Sequence, residues 1–189
     1  MKKIALIALL GGMLAALFVG GFYVSEARHA RQLASQPGMP EGAANSIKHS
    51  HAAARLYRVF RTLGGTASQA EQAVLWLGQL NEYAECALVG NDDTREMMKD
   101  LHNNYVGIVA AQWLEKHAPM VGIDAALSML AVHKELLLSR AAVPLRYTAA
   151  EAAATADVAW AKRWFSKRRA DIRHNVEDAL AKHLSLPHQ

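Results

Sequence analysis

The polar residues best suited to chemistry lie in the stretch KDLHNNYVG, residues 99–107. Asp100, Asn103 and Asn104 are spaced i, i+3 and i+4, so on a helix their side chains converge on one patch. Gly107 follows one turn later and removes a side chain beside that patch, at a cost of about 1 kcal/mol relative to alanine. The pattern predicts a polar spot that a partner or ligand approaches closely.

Further candidates come from the two preceding helical segments. His49 lies on the apolar line of its segment, whereas His51, two residues later, cannot share that helix face. Glu82 and Glu85 lie near the carboxyl end of the next segment, where acids oppose the helix dipole and do not favour helix stability. Helical bundles build sites from inward-pointing acids and histidines of facing helices. The predicted pocket contains one residue or more from each of three consecutive helices, namely His49, Glu82, Asp100, Asn103 and Asn104.

These side chains suit acid–base chemistry or binding of a divalent metal. The catalytic candidates are His49, Glu82 and Asp100. A divalent metal is a possible cofactor, although no established metal motif such as H-E-x-x-H is present. The same residues could instead form a buried polar network that fixes helix packing. The substrate-binding candidates are Asn103, Asn104 and Gly107.

Helices are the elements that must position these residues. Alanine is abundant, and no alternating strand pattern, glycine-rich phosphate loop or CxxC motif occurs. Capping boxes at Thr66 with Gln69 and at Thr148 with Glu151, and Pro119 after the third segment, mark helix boundaries. We predict an all-α domain over residues 45–189, a bundle of about five helices. The predicted helices span approximately 46–63, 66–89, 93–117, 124–139 and 148–184.

The amino-terminal 25 residues form a separate segment. Residues 4–24 are 21 residues without a charge, long enough to cross a bilayer as a helix. An uncleaved anchor over residues 1–25 is the favoured interpretation, which gives a single-pass inner-membrane protein with its domain in the periplasm. The alternative is a secreted domain after signal cleavage near Ala27. Residues 26–44, which include SQPGMPEGAA, are predicted to be a linker.

Composition narrows the possible partners. Lys and Arg total 21 against 17 Asp and Glu, and much of this small excess lies in residues 162–173. Such a local basic run favours phospholipid headgroups over specific nucleic acid. The single cysteine, Cys86, excludes an intrachain disulfide and a multi-cysteine zinc site. The predicted partners are therefore the membrane, through residues 4–24, and an envelope protein.

The segments NSIKHSHAA and KDLHNNYVG, with an acid on the helix between them, resemble an uncharacterised all-helical bacterial domain family. Its members carry an Asp-Ala-x-Arg-His-Ala opening, a His-Glu pair and a Met-Asp-Leu-x-Asn-Asn-x-x-Gly helix. They occur in exported proteins and at the ends of polymorphic-toxin-like chains. The resemblance covers about residues 45–111. It implies that the family's positions correspond here to His49, Glu82, Asp100, Asn103, Asn104 and Gly107.

Three positions depart from the family pattern. Asn45 stands where the family has aspartate, and Lys48 stands where it often has arginine. Asn81 stands where the histidine of the His-Glu pair is expected. Loss of an acid and a histidine weakens the case for acid–base or metal-dependent activity in this chain.

Two functions remain open from the sequence. The first is a membrane-anchored envelope protein whose polar interhelical site binds a partner or supports the structure. The second is a hydrolase-like or effector-like enzyme that uses the His/Glu/Asp/Asn pocket. Access separates them, because an open pocket favours an enzyme and a dry, satisfied network favours a structural role.

Overall fold

In a computed structural model of the chain, all regular structure among the described residues is helical. This confirms the all-α prediction for that part. The described residues are 21–22, 24–89, 93–138, 142–143 and 158–184. The helices are α1 (24–34), α2 (Ala43–Thr62), α3 (Ala67–Val89), α4 (Thr94–His117), α5 (Ile123–Val132) and α6 (Val158–Leu184).

The central element is α4, which packs against α2, α3, α5 and α6. Its residues are buried almost continuously from Thr94 to Ala111, around the whole circumference of the helix. A helix surrounded on all sides becomes the core of a bundle, so its polar residues are buried with it. The stretch around Asp100 therefore lies inside the protein rather than on an open face.

Gly107 lies at the crossing of α4 and α2. A Cβ atom added there would lie 1.9 Å from the backbone oxygen of Ser50. The two helix backbones are therefore in contact at this point, as small residues allow. The close approach that the sequence predicts at Gly107 is made by α2 and not by a ligand or a substrate.

The starts of α3 and α4, which local hydrogen bonds set, agree with the helix starts predicted from the sequence. The Thr66 amide donates to Gln69 Oε1 at 2.8 Å, and the Gln69 amide donates to Thr66 Oγ1 at 3.2 Å. Asp93 caps α4 by accepting a hydrogen bond from the Arg95 amide at 3.0 Å. The bonds at Thr66 and Gln69 and the bond at Asp93 satisfy amides that a helix leaves without partners at its start.

Two boundaries differ from the prediction. Helix α2 begins at Ala43 after Gly42, so the predicted start near residue 46 lies inside the helix, where Ser46 donates its hydroxyl to Leu137 O at 2.6 Å. Helix α5 ends at Val132, well before the predicted residue 139, where Lys134 adopts a positive φ of 61°. The predicted start of the last helix, at residue 148, lies outside the described residues.

The predicted linker over residues 26–44 is corrected in its first part, because residues 24–34 form α1. Glu26, Ala30 and Leu33 are buried at spacings i, i+4 and i+7, so one face of α1 packs on the bundle. Only residues 35–42 keep the turns expected of a linker.

No helix among the described residues has the length and the apolar character needed to cross a membrane. The predicted anchor over residues 1–25 lies almost wholly outside those residues. It therefore stays a prediction.

Part of the predicted basic patch on α6 faces inward. Arg169 and Arg173 both pair with Glu71 of α3, which is only 7% exposed. Gln112 of α4 also donates to Glu71, at 2.7 Å. These two arginines join α6 to the bundle, so only the remaining cations of residues 162–173 face outward for an anionic surface.

Candidate functional site

A cavity of about 380 Å³ lies between α2 and α3 and reaches α4 at its inner wall. This volume falls within the range of about 300–1,000 Å³ that small-molecule sites occupy. Most of its wall is apolar because both helices direct aliphatic side chains into it. These side chains include Ala52, Leu56, Val74, Leu77 and Leu80.

The polar residues of the cavity wall are Lys48, His49, Asn81 and Asn104. The side chain of Asn104 hydrogen-bonds to His49, which joins α4 to α2 at this wall. Lys48 is the one charged residue among those that line the cavity. The cavity thus combines a long apolar surface with a cation and two amides.

Phe22 also forms part of the cavity wall. It belongs to residues 4–24, the segment predicted to cross the membrane. The guanidinium of Arg55 lies 5.3 Å from the centroid of the Phe22 ring, a cation–π distance that holds the ring against α2. The cavity therefore lies next to the end of the predicted anchor.

A cluster of three acids, of which Glu82 and Asp100 are buried and Glu85 is partly buried, lies close to His49. Carboxylate oxygens of Glu82, Glu85 and Asp100 lie within 4.8 Å of one another. His49 Nε2 is 3.4 Å from Asp100 Oδ1. Glu82 Oε1 and Asp100 Oδ1 accept no hydrogen bond, so these buried oxygens are poorly satisfied as charged groups.

Burial determines the protonation of this cluster. Burial, the charge on Asp100 and the charge on Glu85 raise the pKa of Glu82 to about 8. Burial raises the pKa of Asp100 to about 7, although Lys99 opposes the change. Burial and the charges on Lys48 and Lys99 lower the pKa of His49 to about 3. At neutral pH the site therefore holds a neutral imidazole beside a protonated Glu82 and an Asp100 that is near the midpoint of its titration.

The charges around the acids argue against a divalent metal at this cluster. Lys99 is 4% exposed, and its Nζ lies 3.7 Å from Asp100 Oδ1 while also pairing with Glu96. Lys48 interacts electrostatically with the same acids. Two ammonium groups already supply the positive charge that a metal would bring, so we assign no metal to these residues.

The structure brings together four of the five predicted pocket residues and separates Asn103 from them. Asn103 donates to Leu137 O at 3.1 Å and accepts from the Leu137 amide at 3.0 Å. Successive helix residues are turned by about 100°, so Asn103 and Asn104 diverge although each lies near Asp100 along the helix. Asn103 therefore supports the segment after α5 and lies apart from the other predicted pocket residues, and its assignment as a substrate-binding residue stays a prediction. His102 also points away from the pocket, to Glu135 O at 3.0 Å.

The chain matches nothing in three comparisons, which cover models of protein families, curated proteins and solved structures. The resemblance described above and the bacterial origin that it implies stay predictions. The function is argued below from the geometry of the site alone.

Lys99 and Lys48 also belong to the site, although they are not among the site residues predicted from the sequence. Lys99 directly precedes Asp100 in the polar stretch of residues 99–107. Its position beside that acid is therefore a sequence signal for a lysine near the site. Lysine is almost never fully buried without a partner. Only the packing of α4 on all sides shows that Lys99 lies inside the protein beside acids.

The buried acids predict an unusual dependence of stability on pH. From pH 6.5 to 8 the folded protein keeps a proton on Glu82 that the unfolded chain has released, since its pKa is raised from 4.5 to about 8. The free energy of unfolding should therefore fall as pH rises through this window, by up to about 1.4 kcal/mol per pH unit from Glu82, with a further contribution from Asp100 below about pH 7. Denaturant titrations at several pH values measure this slope.

Glu82→Gln should flatten that slope, because the amide carries no titrating proton. The control is Glu177→Gln on the surface of α6, where the carboxylate pairs with Arg173 at 3.2 Å in solvent. The control should keep the wild-type slope. A wild-type stability that rises between pH 6.5 and 8 would contradict the raised pKa of Glu82.

Proposed function

We propose that the domain is a non-enzymatic binding module at a membrane, and that its cavity takes a small anionic amphiphile, an acyl chain with a carboxylate head. The observation that carries the proposal is the cavity wall, which is apolar except for Lys48, His49 and two amides. The proposed location is the periplasmic side of the inner membrane, with residues 4–24 as the anchor.

The apolar wall suits an acyl chain. Each methylene group that leaves water contributes about 0.8 kcal/mol. Leu56, Leu77 and Leu80 supply a continuous aliphatic surface from two helices. A chain of moderate length would therefore gain enough free energy to bind without a covalent bond.

Lys48 suits the carboxylate head. Burial lowers the pKa of Lys48, since a half-buried ammonium is less well solvated than a free one. An anionic head beside the ammonium would add a further favourable charge–charge interaction, and the amide of Asn104 can donate a hydrogen bond beside it. Because Asp100 and Glu82 take up protons as pH falls, the anion should bind more tightly at pH 6.5 than at pH 8.

A stripe on α3 supports a membrane source for this ligand. Trp76, Leu80 and Tyr83 are 62%, 48% and 47% exposed, at spacings of four and three residues. Tryptophan and tyrosine are enriched at membrane–water interfaces. Leu80 belongs both to this stripe and to the cavity wall, so the stripe leads into the cavity.

Methyl NMR of the full chain in lipid nanodiscs tests the proposal, with octanoate as the probe. Octanoate should shift the methyl signals of Leu56 and Leu77 saturably. Lys48→Met should weaken this binding by roughly tenfold to a hundredfold, because a hydrogen bond to a charged group is lost. The uncharged probe octanol should bind wild type and Lys48→Met equally.

Two further variants complete the test. Ala52→Phe should fill the cavity and abolish the shifts from both probes. The control Lys162→Met, at an exposed position on α6, should bind octanoate like the wild type. Shifts that Ala52→Phe leaves unchanged would show that the probe does not enter the cavity, and the proposal would be overturned.

A second candidate function is hydrolysis by His49 with Asp100. The 3.4 Å contact between these residues and the pKa of about 7 for Asp100 favour it, since acid–base groups work best near the operating pH. Against it, Glu82 and Asp100 do not line the cavity. Release of p-nitrophenolate from p-nitrophenyl octanoate, lost in His49→Gln and Asp100→Asn but kept in Glu177→Gln, would establish this function.

A further inference from the structure

Three helices bring two imidazoles and a carboxylate together away from the cavity. His29 of α1 and His51 of α2 each place Nε2 at 3.0 Å from Asp124 Oδ1 of α5. The two rings lie 4.5 Å apart between centroids, tilted by 41°. The three ligand atoms all lie within 4.8 Å of one another, a separation that one metal ion can bridge.

A contact at the second ring nitrogen of His51 orients its imidazole ring. Its Nδ1 contacts the carboxylate of Glu26, which is 0% exposed and also pairs with Arg55. A histidine that binds a metal characteristically donates its second ring N–H to a carboxylate, which fixes the tautomer and the ring orientation. Glu26 occupies that position relative to His51.

His51 thus lies between two carboxylates, with Nδ1 against Glu26 and Nε2 at 3.0 Å from Asp124 Oδ1. A cation between His51 and Asp124 would be in contact with both groups.

We propose that His29, His51 and Asp124 bind a divalent transition metal, with Zn²⁺ as the ion that the ligands fit best. Two imidazole nitrogens and one carboxylate oxygen are ligands that Zn²⁺ accepts, and they leave a fourth position open. His29 and Asp124 are partly exposed, at 34% and 44% of their side chains, so that position faces solvent.

The proposed metal would join α1 to the bundle. Helix α1 follows the predicted membrane segment, and its buried Glu26 already contacts α2. A metal held by α1, α2 and α5 would fix the domain relative to the chain that leads to the membrane. This inference is independent of the ligand proposed for the cavity.

Calorimetric titration of the full chain with Zn²⁺ tests the site, in a nonionic detergent, without a polyhistidine tag and after removal of metals with a chelator. We expect one Zn²⁺ per chain, a higher Tm with Zn²⁺, and visible d–d absorption when Co²⁺ replaces it. His29→Gln and Asp124→Asn should each abolish these effects. Both residues are partly exposed, so these variants are expected to fold, and circular dichroism checks this.

Glu26→Gln should weaken Zn²⁺ binding by roughly tenfold to a hundredfold without abolishing it, as loss of an orienting carboxylate does. The control His174→Gln removes an exposed histidine that pairs with Asp178 at 3.2 Å in solvent, and it should bind Zn²⁺ like the wild type. Asp100→Asn, in the acid cluster, should also leave binding unchanged.

Two results would overturn the proposal. One is an absence of Zn²⁺ binding by the wild type. The other is Zn²⁺ binding that survives in His29→Gln and Asp124→Asn, or that is lost in Asp100→Asn, since the metal would then lie elsewhere.

Discussion

Gly107→Ala is expected to lower the free energy of unfolding by more than about 3 kcal/mol, or to prevent folding. The added Cβ would lie 1.9 Å from the backbone oxygen of Ser50, and backbone cannot move aside as a flexible side chain can. Helices α2 and α4 would have to move apart, which would disturb the core to which both helices contribute. Denaturant unfolding followed by circular dichroism measures the loss.

A loss of stability in Gly107→Ala would be opposite in sign to the usual effect of this substitution in a helix. In a helix interior without such a contact, replacing glycine with alanine stabilises by about 1 kcal/mol. The control Gly122→Ala, where no atom lies within 4 Å of the added Cβ and φ is −69°, should change stability little. A Gly107→Ala protein as stable as the wild type would show that α2 and α4 do not cross as described.

Asn103→Ala is expected to cost about 2–4 kcal/mol. The side chain satisfies both the amide and the carbonyl of Leu137, in a setting where Asn103 is 0% exposed. Each buried backbone group left without a partner costs about 1–3 kcal/mol. Ser46 still donates to the Leu137 carbonyl at 2.6 Å, which limits the loss at that oxygen.

Denaturant unfolding measures this effect too, with Asn175→Ala on the exposed face of α6 as its control. The control should stay within about 0.5 kcal/mol of wild type. If Asn103→Ala instead kept full stability and lost octanoate binding, Asn103 would be a ligand residue, as the sequence pattern alone predicts.

The features that the sequence predicted correctly depend on short-range interactions. Thr66 with Gln69, and Asp93 at the start of α4, set their boundaries through hydrogen bonds within one helical turn. The meeting of His49, Glu82 and Asp100 also followed from sequence, since consecutive helices joined by short turns pack as neighbours. Their polarity on otherwise apolar segments was the signal.

The features that the sequence could not supply depend on long-range packing. His29 and Asp124 are separated by 95 residues, and neither has a local pattern that indicates the other. The helical period of Glu26, Ala30 and Leu33 was present in the chain, but the proline and glycine residues that follow it favoured a linker. The direction of Asn103 depended on the path of residues 135–137, which no local rule fixes.

Phe22 connects the proposed membrane anchor with the proposed ligand cavity. This residue lies near the end of the predicted anchor and lines the cavity, so a ligand that leaves the bilayer would meet the cavity first. The proposed function requires that an acyl chain occupies the space between α2 and α3.

Photo-crosslinking tests this requirement most directly. A fatty acid of octanoate length with a diazirine on its chain is incubated with the full chain in nanodiscs and irradiated, and the modified peptides are mapped by mass spectrometry. We expect modification within residues 48–56 and 74–84, and we expect it to be lost in Ala52→Phe and reduced by excess octanoate. Modification confined to α6, or modification that Ala52→Phe leaves unchanged, would contradict the proposed function.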